Sequence, residues 1–552
     1  MTRAARRYAP GVAVIALIAA AIILVPPKRD ASVSTGAAGP TTTRVAGQFG
    51  SSSGASSASQ TIGAVGTAET GPAGVSTSGP GAPAAGVARS GVACTGGARQ
   101  VPWSRYAPPC VPAFQGDNGG VTAPGVSADT ITISYRLGNS ASTSALYAAA
   151  GAAAASLGGD QPQMVADLNA YIDLFNKNME LYGRKVVLKP YQGAGDFLQE
   201  FQGKDASGAQ ADAATAKDMG AFADISTITQ TQLYEEALAA QQIVSFGSIY
   251  LSQNWFDQHA PYAYSWFPTG DRVADFIGNT SCQRMANLPA TFAGDAAMHS
   301  QTRVFGIINP ENPEYTHPGD VVAAKLAACG QAVAARASYS LDISTAATQL
   351  TNAIAQMHAA HVTTVLCLCD EFTPIYTSQA ADQQLYEPEW FTLWWPDPWG
   401  RLASQNQWTH ALSAGGVTPQ ISTTEAYQVY RLANPAGPPS GDYSYPLAYQ
   451  QVLQLFNALQ AAGPSLTPAN MANGWFTLPP SDPGGDIGPW TFGPGVYTPK
   501  SAFQLGWWSQ GAPSGLDGAG GSWQNCMDGT WFPFDDPGAL GPSGTQPTCF
   551  GQ

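Results

Sequence analysis

Charged side chains are scarce in this sequence. Asp, Glu, Lys and Arg make up 11% of its 552 residues, and the excess of acidic over basic residues gives a formal net charge of −14. The body of the chain contains no run rich in Lys and Arg. Because nucleic-acid binding depends on such basic surfaces, the composition argues against a nucleic-acid partner.

The signatures of common enzyme classes are also missing. From residue 93 onward the sequence has no G-x-S-x-G nucleophile elbow, no H-E-x-x-H zinc helix and no Walker A loop. Two of its six His residues, His358 and His361, fall on one predicted helix face, but no acidic third ligand lies on that turn. We interpret this pair as polar residues at a helix end. The sequence therefore predicts no enzyme, no cofactor and no metal site.

The N-terminus has the pattern of an export signal. Three Arg residues among the first seven precede an apolar run over residues 12–25, which two Pro residues end. The run is short for a membrane-spanning helix, which needs about 17–25 residues, and no clean A-x-A cleavage site follows it. Residues 1–29 are therefore a signal anchor or a cleaved signal peptide, and we prefer the anchor. The Arg residues predict a body outside the cytoplasm, tethered to the membrane or secreted if the signal is cleaved.

The segments that flank the body of the chain are rich in small residues. Residues 30–92 consist mainly of Gly, Ala, Ser, Thr and Pro, and Phe49 is their only aromatic residue. Such a chain buries too little apolar surface to fold, so we predict a disordered linker. Residues 93–125 are interpreted as an irregular lead-in, and residues 511–552 as a Gly/Pro/Trp-rich tail.

The chain has eight Cys residues, an even number that predicts disulfides in an exported protein. The pairs suggested by proximity and by predicted helix ends are Cys94–Cys110, Cys526–Cys549 and Cys282–Cys329. Cys367 and Cys369 lie at the end of a predicted strand. We interpret them as two buried thiols, or as one thiol paired with Cys282 or Cys329.

From residue 126 onward, strand and helix patterns alternate. A β-run at Thr130–Tyr135 is followed by an apolar stripe from Val165 to Met179 with helical spacing. Two such series, joined by an extended segment, predict an α/β fold with two doubly wound, Rossmann-like lobes. We assign residues 126–265 plus 400–490 to lobe 1, and residues 266–399 plus 491–510 to lobe 2. Ligands of such folds bind at the carboxyl ends of the strands.

Several segments in this order resemble the type 1 periplasmic solute-binding family, whose members include leucine-, isoleucine- and valine-binding proteins of ABC importers. The segments are GVSADTITIS, NKNMELYGRKVVLKPYQ, FADISTITQ, YAYSWFPTGD and AYQQVLQLFNALQAAG. The resemblance covers about residues 126–510. It implies a type 1 periplasmic-binding-protein fold with three hinge crossings, which we place near residues 263–269, 394–400 and 486–502.

The resemblance also implies where a ligand binds. The family uses hydroxyls and backbone N–H groups of the first lobe, and a Tyr and an acidic group of the second. The matching positions are Ser140, Thr143, Ser226, Thr227, Gly247 and Ser248 in lobe 1, and Tyr315, Asp370 and Glu371 in lobe 2. Helix N-capping is the alternative for Ser140 and Thr143, and for both acidic residues.

A tryptophan-rich stretch over residues 394–399 adds one more candidate. Trp395 lies at the predicted second crossing, where its ring belongs either to the core or to the wall of the cleft. An aromatic wall would favour an apolar or ring-bearing ligand.

These observations predict an extracytoplasmic solute-binding protein. It would capture a small molecule, such as an amino acid or an amide, and deliver it to the permease of an ABC importer. One alternative is a ligand-sensing ectodomain of the same fold. Another is a secreted cell-wall hydrolase, which the missing nucleophile motif disfavours.

Overall fold

The computed structural model describes residues 86–150, 153, 161–227, 229–247, 250–481 and 485–551. The predicted signal segment, most of the predicted linker and Ser248 lie outside the described residues. Within those residues, no helix is both long enough and apolar enough to span a membrane.

Two sheets form the centres of two lobes. The strands of the first sheet are β1 (Thr130–Leu137), β2 (Lys185–Gln192), β3 (Ala223–Asp224), β4 (Val244–Gly247) and β5 (Ala263–Ser265). They are all parallel and lie in the order β2-β1-β3-β4-β5. This sheet is the centre of lobe 1.

The second sheet is the centre of lobe 2. The remaining strands are β6 (Phe305–Pro310), β7 (Val333–Tyr339), β8 (Thr364–Cys367), β9 (Glu389–Leu393), β10 (Ala411–Ala414), β11 (Ala502–Phe503), β12 (Leu505–Pro513), β13 (Gly520–Asn525) and β14 (Phe532–Pro533). The sheet order is β13-β12-β10-β9-β8-β6-β7, with β12 and β13 antiparallel to their neighbours. Strands β11 and β14 form a separate antiparallel pair.

Helices follow most of the parallel strands. They are α1 (Ser140–Ala150), α2 (Gln161–Asn178), α3 (Phe197–Phe201), α4 (Ala206–Asp218), α5 (Gln232–Ala240), α6 (Gln253–His259), α7 (Gly270–Thr280), α8 (Pro313–Ala328), α9 (Ile343–Ala359), α10 (Thr373–Gln383), α11 (Asp397–Gly400), α12 (Gln405–Trp408), α13 (Glu425–Ala433), α14 (Tyr445–Ala461) and α15 (Pro468–Phe476).

The sequence pattern explains this layering. All six residues of β6 are buried, as expected for a parallel strand covered by helices on both faces. The stripe of α2 packs against α14, with ring centroids 5.2 Å apart for Phe175 and Phe456 and for Tyr171 and Tyr449. Helix α14 therefore belongs to lobe 1, although it follows lobe 2 in the sequence. The α/β fold with two doubly wound lobes is confirmed.

The chain passes between the lobes three times, over residues 266–269, 415–424 and 477–501. The predicted start of the second lobe 1 segment at residue 400 is wrong, because β10 pairs with β9 and β12 in the lobe 2 sheet. The reason is the composition of β10, whose sequence ALSA has no β-branched or aromatic residue to indicate a strand.

The predicted tail also differs from expectation at its start. Strand β13 lies at the edge of the lobe 2 sheet, paired with β12. The rings of Trp508 and Trp523 pack edge to face, with centroids 5.3 Å apart. These two Trp residues give the Gly-rich hairpin a buried face, so residues 511–525 are part of lobe 2.

Disulfides join Cys94 to Cys110, Cys282 to Cys329 and Cys526 to Cys549, the three pairs that the sequence suggested. The interpretation of Cys367 and Cys369 is wrong, because these two residues are joined to each other. They flank one residue at the end of β8, where the chain leaves the sheet and the two side chains can approach.

Candidate ligand-binding cleft

A cavity of about 160 Å³ lies between the lobes. Thr227 and Gly247 line it from the ends of β3 and β4, and Pro310, Tyr339 and Leu368 line it from the ends of β6, β7 and β8. The cavity is thus at the carboxyl ends of both sheets, where doubly wound folds bind ligands. A dry cavity of about 150 Å³ holds one benzene molecule, so this one suits a single-ring or similarly small ligand.

The wall of this cleft is largely apolar and aromatic. Its apolar and aromatic lining residues include Leu146, Phe197, Phe201, Tyr250, Trp266, Tyr315, Leu341, Phe372, Tyr376, Trp395 and Leu447. Among the described lining residues, the only charged ones are Asp370 and Glu371, which follow β8. The chemistry of ligand recognition therefore depends on which of these two carboxylates is free to act.

The Asp370 carboxylate is used by the protein itself. Its Oδ1 accepts hydrogen bonds from the backbone N–H groups of Phe372 (2.7 Å) and Thr373 (3.1 Å) at the start of α10. Its Oδ2 accepts from the hydroxyls of Tyr339 (2.5 Å) and Thr373 (2.7 Å). Four donors satisfy this carboxylate, so Asp370 caps the helix, which was the alternative role considered for it.

Glu371 is in the opposite situation. Apart from its own backbone N–H, its carboxyl group has no hydrogen bond or ion pair with any described residue. Burial, reinforced by the nearby charge of Asp370, raises the pKa of Glu371 to about 8. Near neutral pH this carboxyl group is therefore protonated in most molecules, and can donate a hydrogen bond as well as accept one.

A buried ionic cluster fixes the lobe 1 wall. The Arg136 guanidinium, at the end of β1, donates to both carboxylate oxygens of Glu200 (2.8 and 2.9 Å) and to Asp212 (3.2 Å). It also lies 3.7 Å from the centre of the Tyr234 ring. Because Glu200 belongs to α3, this cluster holds the short helix that supplies Phe197 and Phe201 to the cleft.

Only some of the predicted lobe 1 site residues line the cavity. Thr227 and Gly247 line the cavity, whereas Ser140, Thr143 and Ser226 do not. Ser226 is fully buried, and its hydroxyl accepts the backbone N–H of Arg136 at 2.7 Å. Sequence spacing alone could not show this inward orientation.

Gly247 has a steric role at the cleft. A Cβ atom at this position would lie 1.9 Å from Cδ of Gln230, which also lines the cavity. The backbone of β4 thus packs directly against the Gln230 side chain, which would have to move if residue 247 had a Cβ atom.

In lobe 2, Tyr315, Asp370, Glu371 and Trp395 all line the cavity. The ring of Tyr315 packs edge to face on Tyr250, with centroids 6.1 Å apart. The tryptophans of residues 394–399 differ in their surroundings. Trp395 lines the cavity, whereas Trp399 is 2% exposed and packs on Phe372.

The two lobes contact each other across the cleft. The Tyr250 hydroxyl donates to the backbone O of Cys369 at 3.1 Å, and the Ser252 N–H donates to Glu314 at 2.9 Å. At the surface, Nζ of Lys204 lies 3.2 Å from Oδ2 of Asp342. The described structure is therefore a closed arrangement of the lobes.

Sequence reasoning missed the aromatic lobe 1 wall. Phe197 and Phe201 are four residues apart on α3, which Asp196 caps by accepting from the N–H groups of Leu198 and Gln199. The Asp-Phe-x-x-x-Phe spacing after a strand was the available signal for a short capped helix with one aromatic face. Tyr250 and Trp266, which follow strand ends, were also missed.

Known proteins were compared with the chain. No protein-family model and no curated protein matches it. Among solved structures, it is similar to a solute-binding protein of an ABC transporter from R. palustris in complex with 4-hydroxybenzoate, with a TM-score of 0.51, 11% identity and coverage of 72% of this chain and 96% of that one.

Two further structures give comparable agreement. A fatty acid ABC transporter substrate-binding protein from Thermomonospora curvata has a TM-score of 0.50 and 13% identity, covering 74% of this chain and 94% of that one. An ABC transporter substrate-binding protein from Aeropyrum pernix has a TM-score of 0.50 and 10% identity, covering 75% and 99%. At these identities the likeness concerns the fold alone: the chain shares the two-lobed α/β fold of these ABC transporter substrate-binding proteins.

Proposed function

We propose that this protein is an extracytoplasmic solute-binding protein that closes its two lobes on an apolar small molecule and delivers it to an ABC importer. One observation carries the proposal: among its described lining residues, the apolar cleft at the carboxyl ends of both sheets has one carboxyl group, that of Glu371, with no hydrogen-bonding side chain. The N-terminal apolar segment would tether the protein to the membrane.

The cleft supports a ligand with a ring or a short apolar chain and one polar group. Aromatic walls provide the apolar contact area, and Glu371 provides one hydrogen-bonding group of adjustable charge. A hydroxyl, amide or carboxyl group of the ligand would bond to protonated Glu371, whereas an amine would bond to its ionised form. Two of the similar solved structures are a complex with 4-hydroxybenzoate and a fatty acid transporter substrate-binding protein. They support an apolar ligand for this cleft no less than the sequence resemblance supports an amino acid.

The first test is a thermal-shift screen of the purified protein with hydroxybenzoates, fatty acids, apolar amino acids, apolar amides and sugars. A ligand at 100 times its Kd stabilises the protein by about 2.7 kcal/mol, which is a measurable rise in Tm. Glu371→Gln should weaken the hit about tenfold, because the carboxamide supplies neither the O–H donor of the protonated carboxyl group nor the charge of its ionised form. Glu311→Gln is the matched control, because Glu311 is exposed and does not line the cavity. Stabilisation by sugars alone would contradict an apolar ligand.

The second test concerns closure. Small-angle scattering with the screened ligand should give a smaller radius of gyration than the free protein, because ligand contacts from both lobes favour the closed state. An equal radius at saturating ligand would contradict capture by lobe closure. Turnover of the ligand into a product would overturn the binding function itself.

A further inference from the structure

A second cavity, of about 220 Å³, lies beside the three crossings between the lobes. Its wall contains residues of all three: Trp266 and Phe267 of the first, residues 415–419 and 421 of the second, and Ile487 of the third. Trp266, Trp395 and Leu447 line both this hinge cavity and the cleft. The hinge cavity is therefore next to the proposed ligand site but built mainly from different residues.

The wall of the hinge cavity is strongly aromatic. Trp394, Trp531 and Tyr443 line it in addition to Trp266 and Trp395. The Nε1 atoms of Trp394 and Trp395 are buried and have no hydrogen-bond partner among the described residues. Buried N–H donors are ordinarily paired, so these two indoles leave hydrogen-bonding capacity unused in the wall.

The hinge cavity also contains one cation without a direct anionic partner. Nζ of Lys500 lies 5.4 Å from the ring centre of Phe503 and 5.5 Å from that of Trp531. No described carboxylate lies within 4.0 Å of it, and no described residue accepts a hydrogen bond from it. Burial lowers the pKa of Lys500 to about 8, and the charge of Asp486 opposes this shift. Near neutral pH the ammonium therefore keeps its charge in most molecules.

The cavity is lined by one cationic and one anionic side chain, Lys500 and Asp486, and this pair favours a ligand with a single negative charge. Asp486 also lines the cavity, and its Oδ2 accepts the backbone N–H of Glu425 at 3.3 Å. A monoanion at Lys500 would gain a charge-assisted bond and meet the repulsion of one negative charge by Asp486. A dianionic phosphate would meet twice that repulsion and a larger desolvation cost in an apolar cavity.

We propose that the hinge cavity is a second binding site, separate from the cleft, which takes an apolar or aromatic monocarboxylate with its carboxylate on Lys500 and its body among the tryptophans. A ligand there contacts segments from all three crossings at once. Its occupancy would therefore favour whichever lobe arrangement keeps those segments together, and would couple to ligand capture in the cleft.

The probe for this site is 4-phenylbutanoate, compared with the uncharged 4-phenylbutanamide, in titration calorimetry of the full-length protein. The wild type should bind the carboxylate in a saturable way and prefer it over the amide about tenfold or more. Lys500→Met should remove this preference, and Lys500→Arg should keep it. Lys177→Met is the control for charge alone, since Lys177 is exposed and lines neither cavity.

Glu371→Gln distinguishes this site from the cleft. If the carboxylate binds in the hinge cavity, this variant should leave the affinity for 4-phenylbutanoate unchanged while it weakens the cleft ligand. An equal loss in Glu371→Gln and Lys500→Met would overturn the second site, because the probe would then occupy the cleft. Absence of saturable binding to the wild type, or unchanged affinity in Lys500→Met, would overturn it as well. Each of these results leaves the screen for the cleft ligand standing.

Folding of the Lys500→Met variant is checked by urea denaturation. Methionine replaces a half-buried ammonium with an apolar side chain of similar length, so the midpoint should equal or exceed that of the wild type. If the midpoint falls instead, the Lys500→Arg variant decides the question. Loss of 4-phenylbutanoate binding in a folded Arg variant would contradict a site selected by positive charge.

Discussion

Lobe 1 holds two fully buried acidic side chains behind the aromatic wall of the cleft, whereas lobe 2 holds two half-buried acidic side chains in the lining of the cleft itself. In lobe 1, Glu200 and Asp212 are both within 3.2 Å of the Arg136 guanidinium. In lobe 2, Asp370 has four hydrogen-bond donors, whereas the neighbouring Glu371 has none among the described residues beyond its own backbone. Only one of the four carboxyl groups is left for a ligand.

This difference separates three carboxyl groups with structural partners from one that has none among the described residues. A half-buried carboxyl group without a partner costs free energy whether it is ionised or protonated, so its retention needs another explanation than stability. The paired groups of lobe 1 position the aromatic wall, and the capped Asp370 starts α10. Glu371 stabilises nothing that the structure describes, which makes it the group to test for ligand binding.

The largest loss of stability is expected when the Arg136 cluster of lobe 1 is broken. Arg136→Met would leave Glu200 and Asp212 buried without their cation, which typically costs about 3–5 kcal/mol of unfolding free energy. Urea denaturation measures this loss, and Arg136→Met combined with Glu200→Gln should recover part of it. The exposed Arg431, changed to Met, should shift stability by less than about 0.5 kcal/mol. A loss below about 1 kcal/mol for Arg136→Met would contradict the positioning role of the cluster.

The next largest effect is a pH dependence of stability that comes from Glu371, the carboxyl group without a partner among the described residues. The pKa of Glu371 is raised to about 8 in the folded protein by burial and by Asp370, against about 4.3 in an unfolded chain. Between these values the folded state binds more protons, so this group makes stability fall as pH rises from about 4 to 8. Glu371→Gln removes the contribution.

The difference in unfolding free energy between Glu371→Gln and the wild type should therefore grow in favour of the variant from pH 5 to pH 8. Using the difference cancels the other acidic groups whose pKa burial raises, such as Asp224 and Asp397. A constant difference for Glu371→Gln would contradict the raised pKa.

The sequence predicted the two lobes because their helices and strands are long and strongly patterned. The stripe of α2 and the apolar β6 are examples, and neither depends on distant residues for its recognition. The second crossing was misplaced because β10 is a four-residue strand without β-branched or aromatic residues, whose place in the sheet is decided by β9 and β12.

The site was predictable only in part. Parallel strand ends meet at one edge, so residues that follow strands, such as Thr227, Tyr315 and Glu371, were found at the cleft. Which hydroxyl or carboxylate turns toward a ligand depends on tertiary partners. Ser226 turns to the backbone of Arg136, and Asp370 turns to Tyr339, a residue 31 positions away.

A smaller effect should separate Asp370 from its neighbour. Asp370→Ala removes the cap of α10 and should lower stability by about 1 kcal/mol, whereas Asp370→Asn keeps an acceptor for the backbone N–H groups and should cost less. Ligand affinity should change far less than in Glu371→Gln. An affinity loss in Asp370→Asn as large as that in Glu371→Gln would mean that both carboxyl groups contact the ligand.

The smallest effect is expected at the mouth of the cleft, where Lys204 and Asp342 join the lobes. Their side chains are 51% and 27% exposed, so the 3.2 Å ion pair is screened by water. Such pairs contribute about 0.2–1 kcal/mol, and Lys204→Ala should therefore weaken cleft-ligand affinity by at most about fivefold at low salt. Because the Debye length shrinks to about 3 Å at 1 M salt, the difference from the wild type should vanish there. Lys177→Ala, which removes an exposed charge away from the cleft, should show no such salt-dependent difference. If Lys204→Ala weakened affinity equally at both salt concentrations, the lysine would act through packing at the cleft rather than through its charge.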